Sequence, residues 1–145
     1  MKALIQRVKR ASVSIDNKLY SSIGMGILVF LGVEKGDDTE NAEKLSQKLI
    51  NLRIFEDEAG KMNKSLLDVK GEMLVVSQFT LCGDCKKGTR PSFDKSAPPE
   101  IAENLYEKFV DFVKISVTNV QTGKFRAMMD VELINDGPVT FLVEK

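Results

Sequence analysis

The stretch Ile27-Leu28-Val29-Phe30-Leu31-Gly32-Val33 is an unbroken apolar run, typical of a short strand that is buried on both faces. The acidic stretch 37–40 follows and favours a helix start, because negative charge is stabilised at the positive end of the helix dipole. Apolar residues then recur three or four positions apart, on one helix face: Ala42, Leu45, Leu49 and Leu52. This region therefore predicts a buried sheet with a helix packed against it.

Outward from this unit, the chain alternates further strands with one more helix. A second apolar strand over 73–78 runs into Phe79-Thr80-Leu81, and Pro98-Pro99 open a second helix, since proline is tolerated in a first helical turn. Asp136-Gly137 predicts a hairpin turn that joins the last two strands into a closing meander. Shorter strands are predicted at 2–10, 12–15, 53–56, 117–122, 127–134 and 139–143.

These elements predict an α/β fold: a single domain over residues 1–145, with a three-layer α/β/β arrangement, a mixed curved sheet and two main helices. A chain of this length buries roughly 68–70% of its unfolded surface, which is enough for a core without disulfides or metals. No repeat or linker divides the chain.

Composition excludes several classes of function. The absence of His excludes Ser-His-Asp nucleophile systems, His-bound zinc and imidazole acid–base chemistry. The 21 basic and 21 acidic side chains give a net charge of zero, which argues against a general nucleic-acid binder held by charge alone. No apolar stretch is long enough to span a membrane, and no nucleotide-binding loop is present. We therefore expect no cofactor, no membrane partner and no DNA partner.

The two cysteines form the motif Cys82-Gly83-Asp84-Cys85. Without a signal peptide, they predict a reduced, cytoplasmic protein rather than a disulfide scaffold. A single C-x-x-C is compatible with a redox pair, or with a metal site shared across a dimer, but a four-cysteine zinc site needs a second pair. Structural thiols are the simpler interpretation, and no metal site is predicted.

Two polar segments are candidate sites. Ser77-Gln78-Phe79-Thr80-Leu81 ends an apolar strand, where ligands collect in open α/β sheets, and it offers two hydroxyl groups and an amide. Asn135-Asp136-Gly137-Pro138-Val139-Thr140 places a proline directly after a turn, where the missing N–H weakens an ordinary hairpin. By residue type alone, a solvated strand end and an irregular turn are the simpler interpretations.

Two clusters of basic residues are candidate nucleic-acid contacts. Residues 86–95 and 2–10 each carry four cations, with two acids near the first cluster and none in the second: Lys86, Lys87, Arg90 and Lys95; Lys2, Arg7, Lys9 and Arg10. Clusters of this size suit a short nucleic-acid segment better than a long duplex, and a solvated face is the alternative.

Seven blocks in order along the chain resemble the D-aminoacyl-tRNA deacylase family of the D-Tyr-tRNA deacylase type: 3–8, 31–35, 52–55, 60–63, 75–81, 90–93 and 135–140. The motifs Ser77-Gln78-Phe79-Thr80 and Asn135-Asp136-Gly137-Pro138-Val139-Thr140 are highly specific in combination. The resemblance implies a homodimer whose active sites lie at the subunit interface and hydrolyse the ester of D-aminoacyl-tRNA or glycyl-tRNA.

The resemblance also implies residue roles. Gly137 and Pro138, joined by a cis bond, would enter the partner's pocket, hold the substrate's α-amino group and exclude an L side chain. Arg7 matches a position that braces this tip, and Met129 would belong to the same substrate-binding set. Ser77, Gln78, Phe79 and Thr80 match the catalytic segment, and Lys86, Lys87 and Arg90 would contact the aminoacylated 3′ end of tRNA.

Family accounts differ on whether Thr80 is a nucleophile or the terminal ribose 2′-OH of the tRNA is the key group. A threonine nucleophile needs an adjacent general base, and the closest carboxylate in sequence that could serve is Asp84. The backbone N–H groups of Phe79 and Thr80 need no titratable partner to stabilise an oxyanion, so we favour positioning plus oxyanion stabilisation.

Arg126 and Met128 depart from the family pattern, which usually has a small residue and an Asp there. The rival hypotheses are a non-catalytic RNA-binding or dimerisation module and a thiol redox protein.

Overall fold

A computed structural model describes residues 1–145 as eight strands, two α-helices and one 3₁₀ helix. The strands are β1 (Lys2–Ile15), β2 (Lys18–Ile23), β3 (Gly26–Gly32), β4 (Phe55–Glu56), β5 (Met62–Lys64), β6 (Glu72–Ser77), β7 (Val120–Thr122) and β8 (Asp130–Glu144). The helices are α1 (Thr39–Ile50), the 3₁₀ helix (Phe79–Cys82) and α2 (Pro99–Lys114). The predicted α/β class, with two main helices and a mixed sheet, is confirmed.

The main sheet is curved until its two ends meet. Its order is β2-β1-β3-β6-β7, with β8 paired to β1 as well. Strands β3, β6 and β7 run parallel, while β1 is antiparallel to β2, β3 and β8. The Ser21 hydroxyl of β2 donates a hydrogen bond to the Thr122 carbonyl of β7 at 2.7 Å, so the first and last strands of the order are joined.

The central strand β3 separates two apolar clusters. Ile27, Val29 and Leu31 belong to the larger cluster, which also contains the buried faces of α1 and α2. Leu28 belongs to a smaller cluster enclosed by the curl of the sheet. Because alternate side chains of a strand point to opposite faces, β3 is buried on both sides and the three predicted layers follow.

Local signals set the two helix starts. Asp38 caps α1: its carboxylate accepts a hydrogen bond from the Asn41 N–H at 2.9 Å, and the Asn41 side chain accepts one from the Asp38 N–H at 3.1 Å. Pro99 occupies the first turn of α2, where its missing N–H costs nothing. Both helix starts confirm the sequence prediction.

The predicted closing meander is wrong. Asp136-Gly137 does not join two strands, because β8 continues through it as one strand along β1. Gln6 pairs with Thr140 and Val8 pairs with Asn135, so the residues between 135 and 140 bulge outward opposite Arg7. The turn signal is local, whereas the 14 residues of β1 offer partners to both halves of β8.

Other strand boundaries also differ from the prediction. Residues 2–10 and 12–15 form one strand, since β1 changes partner from β3 to β2 on one edge while its other edge stays paired with β8 on both sides of the bulge. The strand predicted at 53–56 is reduced to two residues, and β7 begins only at Val120 and runs parallel to β6. β4 and β7 each pair with only one neighbouring strand, so few backbone hydrogen bonds are available to extend them.

Candidate functional site

A cleft of about 690 Å³ opens at the carboxyl end of β6. One wall is formed by four of the predicted catalytic residues, Ser77, Gln78, Phe79 and Thr80. The other walls come from β6, the end of β3, the start of α2 and the segment that leads into β8: Val76, Leu31, Val33, Ser96, Ala97, Pro99, Ala102, Phe125, Arg126, Ala127, Met128, Met129 and Val131. The structure therefore brings the catalytic candidates and Met129 into one cavity.

The segment Ser77–Thr80 passes from the extended conformation of β6 into the 3₁₀ helix. The Gln78 N–H donates to the Leu31 carbonyl at 2.8 Å, which extends the β3–β6 ladder by one step. The chain then enters the 3₁₀ helix, and the Gln78 side-chain amide donates to the Thr80 hydroxyl at 2.5 Å. The first N–H groups of a helix lack partners within it, and no side chain caps this one. The N–H groups of Phe79 and Thr80 are therefore available to a ligand.

No acidic or lysine side chain lines the cleft, so Thr80 has no carboxylate or amine base there. Asp84, the closest acid in sequence, accepts a hydrogen bond from the Lys86 N–H at 2.9 Å. That hydrogen bond holds the pKa of the Asp84 carboxyl below its usual range and makes it a weaker base. The geometry favours donors that need no titratable partner.

An aromatic pair lies at the mouth of the cleft. Phe79 is 58% exposed, and its ring centroid is 5.1 Å from that of Phe93. Phe93 belongs to a loop that leaves the 3₁₀ helix, forms a bridge between Asp84 and Ser92 and returns to α2. The predicted tRNA-contacting residues are exposed on this loop: Lys86, Lys87 and Arg90.

The basic cluster predicted over residues 2–10 does not form a cationic patch. Lys2 pairs with Glu34 at 3.2 Å, and the hydrogen bond to that carboxylate raises the pKa of Lys2. Arg10 faces Glu132 across β8 at 3.4 Å, and Arg7 is buried. These acids are distant in sequence, so only the tertiary structure reveals that they pair with Lys2 and Arg10. Lys9 is the one cation of the cluster that is exposed and makes no ion pair.

Arg7 instead supports the bulge of β8 from beneath. It is only 5% exposed, and its Nη1 donates to the Ile54 carbonyl at 2.7 Å. Its Nε donates to the Asp136 carbonyl at 3.0 Å and lies 3.1 Å from the Asp136 carboxylate. One guanidinium thus joins β1, the segment before β4 and the bulge.

Asn135 closes the base of the bulge. Its side-chain amide donates to the carbonyls of Arg7 and Val139, both at 3.1 Å. A Cβ atom added at Gly137 would lie 2.5 Å from the Asn135 side-chain oxygen, so this position requires glycine unless Asn135 moves. Gly137 and Pro138 are exposed at the tip, and the peptide bond between them is cis.

The structure does not bring the tip and the cleft together within one chain. Gly137, Pro138 and Arg7 are absent from the cleft wall. No pattern in the sequence marks Ser96, Pro99 and Phe125 as cleft residues, because their contribution depends on how α2 and the segment before β8 approach β6. The sequence signals in that region are Met129, which the resemblance places in the substrate-binding set, and the departures from the family pattern at Arg126 and Met128; Met128 is 91% exposed.

The two cysteines have different environments. Cys82 is buried and its thiol donates a hydrogen bond to the Val33 carbonyl at 3.6 Å, whereas Cys85 is exposed. Both are free thiols, and burial raises the pKa of Cys82. No group of three or more His, Cys, Asp or Glu residues is placed to hold a metal ion. Neither α-helix is long and apolar enough to cross a membrane.

We expect iodoacetamide to alkylate Cys85 and to spare Cys82 in the native protein, because a raised pKa and burial both suppress the reactive thiolate. Peptide mass spectrometry after timed labelling at pH 8 measures both sites. A Cys85→Ser variant serves as the control, since it should take up label only after denaturation. Labelling of native Cys82 at a rate comparable to that of Cys85 would contradict the assignment of Cys82 to the core.

Backbone N–H donors beside a mainly apolar cleft suit a hydrolase that stabilises an oxyanion. The family model for D-Tyr-tRNA(Tyr) deacylase matches residues 4–144, and the chain belongs to this family. The sequence-based family and enzyme class are thereby confirmed.

Similar proteins cover nearly the whole chain. The D-aminoacyl-tRNA deacylase of Geotalea daltonii is 60% identical over 99% of this chain and 96% of its own, and that of Thermosipho africanus is 57% identical over 99% and 97%. A solved structure described as a c-Myc DNA unwinding element binding protein has a TM-score of 0.95 and 43% identity, covering 100% and 99%. A probable eukaryotic D-amino acid tRNA deacylase has a TM-score of 0.86 over 99% and 98%, and at 17% identity it shows the fold alone.

Proposed function

We propose that residues 1–145 form one deacylase domain that works as a cytoplasmic homodimer on aminoacyl-tRNA. It hydrolyses the ester that joins a D-amino acid, or glycine, to the 3′ end of tRNA, and it spares L-aminoacyl-tRNA. The observation that carries the proposal is the segment Ser77–Thr80, which presents uncapped N–H groups to a largely apolar cleft. The names of relatives at 57–60% identity support the same activity.

In the proposed reaction, the N–H groups of Phe79 and Thr80 stabilise the oxyanion formed when water adds to the ester carbonyl. The bond between the carbonyl carbon and the ribose oxygen then breaks, the proton given up by the attacking water is transferred to that oxygen, and the free amino acid leaves. One such donor contributes about 2.7–4 kcal/mol in other enzymes, more in an apolar site than in water. The terminal 2′-OH adjoins the leaving oxygen and assists its departure, while Thr80 supports the wall.

Chiral selection is assigned to the tip of the partner protomer. The exposed Gly137-Pro138 tip is absent from its own chain's cleft, and Arg7 and Asn135 hold its base in place. Inserted into the other cleft, its carbonyl groups hold the α-amino group of the substrate, and its backbone clashes with an L side chain. Discrimination by a rigid clash rejects a wrong substrate without tighter binding of the right one. Glycine has no side chain to reject.

Comparison of D-Tyr-tRNA, L-Tyr-tRNA and glycyl-tRNA with purified protein and a metal chelator tests this function. We expect hydrolysis of the D and glycyl substrates and at least about tenfold slower hydrolysis of the L substrate. Equal rates on the D and L substrates would overturn the selection mechanism, and chelator sensitivity would contradict the metal-free site. Binding of tRNA without hydrolysis would favour a non-catalytic module.

A further inference from the structure

Arg126 is the one charged residue on the wall of the cleft that contains Ser77–Thr80. Every ion pair of the chain is made by other residues, so no carboxylate neutralises its guanidinium. The side chain is exposed. Because no carboxylate of the chain pairs with it, the Arg126 guanidinium can bind an anionic ligand in the cleft.

The backbone at Arg126 has an unusual conformation. Its φ angle is +62°, and the Ala127 N–H donates to the Lys124 carbonyl at 3.2 Å, which closes a turn with Arg126 at its third position. That position with positive φ favours glycine, because a Cβ atom is crowded in the left-handed region. A residue held in this conformation at a cleft is a candidate for a functional side chain.

The proposed substrate is electrically asymmetric. The ester group lies between a positively charged α-amino group and the phosphodiester that precedes the terminal nucleoside. A guanidinium repels the first and binds the second with two parallel hydrogen bonds. One cation at one side of the cleft can therefore fix which way the ester enters.

We propose that Arg126 binds the phosphodiester next to the terminal nucleoside of tRNA and thereby orients the ester toward the N–H groups of Phe79 and Thr80. This inference rests on the proposed function. It assigns the nucleotide side of the substrate to the part of the cleft wall that carries the Arg126 guanidinium, and it places the α-amino group away from that cation.

Steady-state kinetics of Arg126→Gln test the assignment, with Lys124→Gln as the control. Lys124 carries the same charge two residues earlier and lines a different cavity. We expect Arg126→Gln to raise KM for D-Tyr-tRNA about tenfold with little change in kcat, and to reduce the slope of log affinity against log salt by about 0.7. Lys124→Gln should leave KM within about twofold. On D-tyrosyl-adenosine, which has no phosphate, Arg126→Gln should match wild type.

Two further variants separate binding from a structural role. Arg126→Gly suits the positive φ, so it should keep or raise the thermal stability while it raises KM on tRNA as Arg126→Gln does. Arg126→Lys should recover part of the affinity, since it keeps the charge but loses the two-pronged geometry. A loss of stability in Arg126→Gly, with KM unchanged, would overturn the proposal.

A binding measurement makes the result independent of catalysis. The probe is the trinucleotide cytidyl-cytidyl-adenosine, compared with the same trinucleotide carrying one neutral methylphosphonate before the adenosine. Wild type should prefer the charged probe about tenfold, and Arg126→Gln should bind both equally. Equal binding of both probes by wild type would overturn the assignment, as would an Arg126→Gln variant that changes the oligomeric state instead of KM. If wild type shows the preference but hydrolyses no D-Tyr-tRNA, the proposed function fails and the anion site stands.

Discussion

Replacing Arg7 by methionine is expected to lower kcat/KM for D-Tyr-tRNA by about 100-fold and the free energy of unfolding by about 2–4 kcal/mol. The guanidinium is buried and supplies hydrogen bonds to the carbonyls of Ile54 and Asp136. Methionine fills part of the volume but leaves these acceptors, and the Asp136 carboxylate, without their donor. The expected stability loss lies toward the lower end for a broken pair because Asp136 is 37% exposed and can be partly hydrated.

Arg10→Met is the matched control for Arg7→Met. It removes the same side-chain type from the same strand, but its pair with Glu132 is exposed and spans 3.4 Å. Exposed ion pairs contribute little to stability, so we expect Arg10→Met to change the free energy of unfolding by less than about 0.5 kcal/mol. Urea unfolding followed by circular dichroism measures the stability, and deacylation is assayed below the unfolding transition. If folded Arg7→Met retained wild-type activity, Arg7 would have no role in positioning the tip.

Removal of the terminal 2′-OH from the tRNA is expected to lower turnover of the D-aminoacyl ester by about three orders of magnitude, whereas Thr80→Ala is expected to retain activity within about tenfold. The cleft contains no carboxylate or imidazole to activate the Thr80 hydroxyl, and that hydroxyl already accepts a hydrogen bond from Gln78. A hydroxyl group on the substrate lies next to the leaving oxygen whatever the protein supplies.

Single-turnover rates on the 2′-hydroxyl and 2′-deoxy substrates measure this effect, with tRNA binding recorded in parallel. Thr80→Ser is the control, because it keeps the hydroxyl and removes only a methyl group. If Thr80→Ala abolished hydrolysis while binding persisted and Thr80→Ser remained active, Thr80 would be the nucleophile. An unchanged rate on the 2′-deoxy substrate would refute assistance by the substrate.

Local patterns predicted those parts of the fold whose contacts are close in sequence. The apolar run 27–33 is a strand buried on both faces, and Asp38 caps α1 by bonding a residue three positions away. The local pattern at Asp136-Gly137 is misleading, because the dipeptide predicts a hairpin. Pairing with β1, more than 120 positions earlier in the chain, keeps β8 continuous and turns the dipeptide into a bulge. A distant partner decided the outcome there.

The residues of the candidate site also differ in how far the sequence predicts them. The segment Ser77–Thr80 is a candidate site from its own residues, because a polar stretch at the end of an apolar strand is a local signal. Residue type alone favours a solvated strand end there, and the family resemblance is what implies a catalytic role. Arg126 was noticed only as a departure from a family pattern, and its place on the opposite wall of the same cleft follows from how β7 and β8 are joined. The charge of residues 2–10 was misjudged because Glu34 and Glu132 approach only across the sheet.

The sequence by itself determined the α/β class, the strand that ends in the candidate catalytic segment and the family, since each rests on residue type and short-range spacing. The tertiary structure decided that the Gly137-Pro138 tip stands outside its own cleft, which groups Arg7 contacts beneath that tip, and that Arg126 is the one charge on the cleft wall. These relations join residues up to 129 positions apart. They depend on strand register and on the approach of separate elements, which spacing along a chain does not specify.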